Sequence, residues 1–159
     1  MRIKSIVFCI LVSFSTILHA DSSNQSINQE TYATDNFPKY LKYDWTKISP
    51  VEFLRNLKDK KKGVVTIYNY PPKDWITEVD VSKLMQWIDS NDSSAIVVSI
   101  FSSYFPKEEK STVGNEAMFL IEGFKKGKYP SALCSVHYFK GDPNEYRNWW
   151  KQYKNHEMK

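Results

Sequence analysis

Two tetrapeptides set the helical frame of this chain: Ser49-Pro50-Val51-Glu52 and Asp142-Pro143-Asn144-Glu145. Each places a capping oxygen first, a proline at the first helical position and a glutamate three residues after the cap. The capping side chain accepts from backbone N–H groups that have no partner inside the helix, and the glutamate is spaced to reach back in a capping box. The proline removes an N–H that the first turn does not use. Helices therefore start near residues 50 and 143. After the first start, Phe53, Leu54 and Leu57 supply an apolar face, and the basic run from Lys58 to Lys62 suits the negative end of a helix dipole. Gly63 is the expected stop.

A third helix is written into STVGNEAMFLIEGFKKGKYP, Ser111 to Pro130. A hydroxyl pair, a glycine and a glutamate stand at the head of an apolar run, which invites a catalytic reading. A phosphate-binding loop needs a Gly-Lys-Ser/Thr ending, and a nucleophile elbow needs glycines flanking the serine; neither is present. A helix start uses every part. Ser111 or Thr112 caps, Glu116 sits in the first turn, and Val113, Ala117, Leu120, Ile121 and Phe124 share a face. Gly127 ends the run, while Gly114 and Gly123 let another element come close. An anion held at this helix start is the alternative.

Between these helices the composition changes. GVVTIYNY, residues 63 to 70, reads as a strand ended by Pro71-Pro72. Val81, Leu84, Met85 and Ile88 recur with helical spacing, in a helix entered between Asp74 and Asp80 and broken by Asp89-Ser90-Asn91-Asp92. AIVVSIF, residues 95 to 101, has strand composition but a length that also fits a buried helix. ALCSVHYF, residues 132 to 139, reads as a strand. The expectation is one helix-rich α+β domain over residues 37–159 with a few short strands. A regular α/β layer is the alternative, from the order strand, helix, strand, helix, strand, helix.

The first 20 residues follow the export pattern: Arg2 and Lys4, then an apolar run from Ile6 to Leu18 too short for a membrane span, then Ala20 before a cut near Asp21. Residues 1–20 are expected to be a signal peptide and residues 21–36, DSSNQSINQETYATDN, a flexible polar tether. The protein is thus expected in the periplasm or secreted, with no membrane span. Of its 22 basic residues, Arg2 and Lys4 leave with the signal, which lowers the formal net charge from +4 to about +2 against 18 acidic residues. So balanced a charge gives no support to a nucleic-acid binder, which needs a concentrated basic field; no nucleic-acid partner is expected. Cys134 is the one cysteine beyond the signal, so no disulfide forms within the mature chain.

Catalytic sets do not assemble. Cys134 and His137 stand three apart, on opposite faces of a strand. His137 and His156 fit no metal-ligand spacing, and no cofactor is expected. Asp74, Glu78 and Asp80 cluster, but acids one helical turn apart do not flank a sugar from two sides. Tyr146, Trp149, Trp150 and Tyr153 form a stripe that reads as the packing face of the last helix, with stacking on a sugar or partner as the alternative. The turn Tyr70-Pro71-Pro72-Lys73-Asp74-Trp75 is different. Aromatics on a proline-stiffened turn lose little entropy on binding. Tyr70, Asp74 and Trp75, with Tyr104 of the Tyr104-Phe105-Pro106 turn, are the expected partner-contact residues. The chain is thus expected to be an exported binding protein, an inhibitor or immunity-type protein that occludes a protein partner such as a cell-wall-directed enzyme or toxin. A cell-wall-directed hydrolase with acids yet to be paired is the alternative.

Overall fold

α1 (Pro50–Lys60) opens with the expected cap and proline: Ser49 Oγ accepts from the backbone N–H of Glu52 at 3.2 Å, and Pro50 takes the first helical position. Its exit corrects the expectation for Gly63. The residue that leaves the helix is Lys61, at φ 58°, whose N–H bonds to the Lys58 carbonyl. Gly63, at φ 95°, serves the turn into β1 (Val64–Ile67). The computed structural model describes residues 43–106 and 110–157. The expected signal peptide (1–20), the tether (21–36) and the first residues of the expected domain lie outside the described residues.

α2 (Glu78–Leu84) closes a reciprocal capping box. Thr77 Oγ1 accepts from Asp80 N–H at 3.3 Å, and Asp80 Oδ2 accepts from Thr77 N–H at 3.0 Å. Val81 and Leu84 are fully buried, and a series of turns then brings Ile88 into the same core. The chain returns through β2 (Ser93–Ser94) into β3 (Ile96–Ser99), which lies parallel to β1 with Val64 opposite Ile96 and Ile67 opposite Ser99. AIVVSIF is therefore a strand at its centre. All four β3 residues are buried, and a parallel strand covered on both faces carries no alternation for periodicity to detect. One face of the pair, with Val65, Ile67 and Val97, joins the main core. The other, with Ile96 and Val98, forms a small cluster with Cys134, flanked by Val64, Tyr104 and Val136.

The strand expected over 132–139 does not form. Val98 and Cys134 make a single antiparallel bridge, beside which Ser99 N–H donates to Leu133 O and Ser135 N–H to Val97 O, each at 2.9 Å. The Val97 N–H donates to the Ser135 side-chain oxygen at 3.0 Å. A side chain thus takes the donor that a further ladder carbonyl would take, and the chain turns away. Tyr138 N–H then closes the turn on Cys134 O.

β4 (Ser111–Thr112) pairs antiparallel with β2 and runs directly into α3 (Val113–Lys126). Thr112 is the cap, its Oγ1 accepting from Asn115 N–H at 3.1 Å; Ser111 lies buried one residue earlier. Gly127, at φ 62°, ends the helix. α3 is the central helix, in contact with α1, α2 and α4 (Pro143–Glu157). Met118 and Phe119 are buried beside the expected face of Val113, Ala117, Leu120 and Ile121, because helices cover α3 on more than one side. α4 begins with Asp142 Oδ1 accepting from Asn144 N–H at 2.9 Å. It docks through Tyr146, which is buried and donates to Glu122 at 2.8 Å, and through the partly buried Trp149 and Trp150. With four α-helices and two small two-stranded sheets among the described residues, the chain is a helix-rich α+β domain. None of the described helices is long and apolar enough to cross a membrane.

Candidate binding cleft

In open α/β sheets the crevice beyond the carboxyl ends of the strands is the usual place for a ligand, and the same end of this two-stranded pair is open. Here β1 and β3 end at Ile67 and Ser99. Between the turns that follow them and the segment after Gly127 lies an open cleft of about 720 Å³. Its walls are Tyr70, Pro71, Phe101, Pro130 and Leu133; hydroxyls come from Ser99 and Ser131; Lys73 and Lys128 bring positive charge.

The turn after β1 is held from several sides. Asn69 Nδ2 donates to Tyr43 O at 2.6 Å, and Asn69 Oδ1 accepts from Tyr43 N–H at 3.2 Å. Tyr70 shares a hydrogen bond of 2.9 Å with Ser99 Oγ, which fixes the ring against the end of β3. Phe101 stacks beside it, with centroids 6.3 Å apart and planes 23° from parallel, and remains 75% exposed. The Lys73 stem runs past Gly127, where Cε would lie 3.4 Å from an added Cβ.

The expected contact residues separate. Tyr70 lines the cleft and is exposed. Asp74 is exposed but does not line it. Trp75 turns inward: its Nε1–H donates to Ile48 O at 2.8 Å, and its ring packs against Trp45, Phe53 and Tyr129. Tyr104 is half-buried on the small second cluster and stacks on His137, with centroids 4.1 Å apart. Phe101, Leu133 and Lys128 are not singled out by the sequence. Their signal is topological: with two parallel strands assigned, residues just beyond the strand ends become candidates. That requires knowing that residues 96–99 pair with 64–67.

Glu116 lies behind this region with no solvent exposure. Desolvation raises its carboxyl pKa to about 8. Ser111, Ser135 and Asn115 stand near enough to pull the value partly back, but neither carboxyl oxygen has a hydrogen-bond partner of standard geometry among the described residues. The group is thus mostly a neutral acid at pH 7. Tyr129, which backs the cleft, has its hydroxyl pKa raised by burial, then by Glu116 and by Tyr43. The described lining of the cleft contains no carboxylate, so it offers no acid pair for glycoside hydrolysis. Among the described residues, no three His, Cys, Asp or Glu side chains gather as a metal site. No family model matches the chain, and no curated protein or solved structure matches it.

Proposed function

We propose that this is an exported binding protein of the inhibitor or immunity type, acting by occluding a protein partner, and that its contact face is the aromatic rim of the cleft. The observation that carries this reading is the distribution of exposed large apolar side chains. Tyr70, Phe101 and Leu133 are exposed and line the cleft, and Ile100, Phe105 and Tyr138, also exposed, belong to the segments that follow β3 and Gly127. Of the exposed large hydrophobics among the described residues, Val79 alone lies elsewhere, on α2. Apolar surface gathered in this way marks a contact site more often than scattered exposure does. Tyr70 is fixed by Ser99, so presenting it to a partner costs little ordering entropy. The hydrolase alternative draws no comparable support, since Asp74 stays outside the cleft and Glu116 is enclosed.

The test compares the purified tagged protein with a Tyr70→Ala/Phe101→Ala variant in capture from the protein's own extracellular or periplasmic fraction. Both side chains are exposed, so the variant should melt close to the parent. A discrete partner retained by the parent and lost by the variant is expected. Unchanged capture by a normally melting variant would remove this face from the account.

A further inference from the structure

We infer that the cleft receives the carboxyl-terminal residue of the partner chain, with an apolar side chain between Tyr70, Phe101 and Leu133 and the terminal carboxylate toward Lys73 and Lys128. This rests on the binding reading above and names the chemistry that would fill the site.

The charge pattern carries the inference. The described lining holds two ammonium groups and no acid. Among the described residues neither lysine makes an ion pair, as holds also for surface lysines such as Lys83 and Lys140. Asp74, next to Lys73 in sequence, does not line the cleft. What marks the cleft is that both ammonium groups belong to one lining that brings no carboxylate with it. Ser131 also lines the cleft, with its Oγ enclosed and without a hydrogen-bond partner among the described residues.

The walls decide what kind of anion fits. A free inorganic anion would leave the aromatic and aliphatic surface of Tyr70, Phe101 and Leu133 against water. A chain end carries its carboxylate on the same residue as its side chain, so an apolar group and a charge enter together. Capture of a terminal carboxylate is an established mode of peptide recognition. About 720 Å³ is also within the ordinary range for a ligand site.

The probe is a pair of dipeptides, N-acetyl-Leu-Phe as the free acid and as the carboxamide, titrated into the purified protein and followed by amide NMR shifts. The acid should shift the Ser99, Phe101 and Leu133 resonances and bind about tenfold tighter than the amide, as a charge-assisted contact implies. In the Lys73→Met/Lys128→Met variant that preference should vanish while the amide's own affinity stays. Equal affinity for acid and amide, shifts elsewhere, no shifts, or a preference that survives the lysine replacements would each overturn the inference. Such a failure is separable from failure of the contact face, which shows as partner capture that survives the Tyr70→Ala/Phe101→Ala change.

Discussion

Gly114 is where one methyl group should do much damage. A Cβ there would meet Ile88 O at 2.5 Å and Ser90 O at 2.8 Å, both backbone atoms that cannot rotate aside. Gly114→Ala should cost at least about 1–3 kcal/mol of stability, read as a lower denaturant midpoint. Glu116 gives a pH signature. Its unfolded value is near 4.5 and its folded value about 8. Between them the native state holds a proton that the unfolded chain has released. The contribution is therefore fully present below about pH 4.5 and is lost as pH rises through about 8. Glu116→Gln, which cannot ionise, should gain in Tm relative to the parent as pH rises across that window. A difference independent of pH would contradict a neutral buried acid. Trp75 shows what a residue-level reading misses. Proline stiffening of its turn was legible, but which aromatic faces out was not, because Trp45, Phe53 and Tyr129 arrive from distant segments. Trp75→Ala should cost about 3–5 kcal/mol, measured by chemical unfolding.

At the scale of elements, local signals carried well and long-range ones did not. The starts of α1, α3 and α4 depend on a cap and its next turn, and Ser49, Thr112 and Asp142 each fill that role. Thr112→Ala should therefore lower stability by about 0.5–2 kcal/mol by the same measurement. The parallel β1–β3 pair was not legible, since its register joins residues about thirty positions apart. The segment 132–139 has the composition of a strand, yet the Ser135 side chain, in bonding Val97 N–H, stops the ladder. The aromatic stripe of α4 does pack, with Tyr146 buried and Trp149 and Trp150 partly buried against the core. Burial raises the Tyr146 hydroxyl pKa and the bond to Glu122 raises it further. Burial also tends to raise the Glu122 pKa, but Tyr146, Lys125 and Lys126 outweigh it and the net shift is downward. Tyr146→Phe should lose about 1.5–3 kcal/mol, the usual worth of a hydrogen bond to a charged group.

For the whole molecule, the division of labour is spatial. α3 organises the core with α1, α2 and α4 around it, while the carboxyl ends of β1 and β3 carry the cleft and the exposed aromatics. Sequence reasoning reached one wall of that site, Tyr70, through its proline-rich turn. It did not reach Phe101 or Leu133, which become neighbours only once β3 lies between β1 and the 133–135 segment. The most direct measurement of the contact face is site-specific photo-crosslinking in the protein's own cells. p-Benzoylphenylalanine replaces Phe101 in one variant and Val79, which is also exposed but lies on α2, in another. A discrete adduct from position 101 and none from position 79 is the predicted result. No adduct at 101, or the same adducts from both positions, would contradict the assignment of this face to a partner.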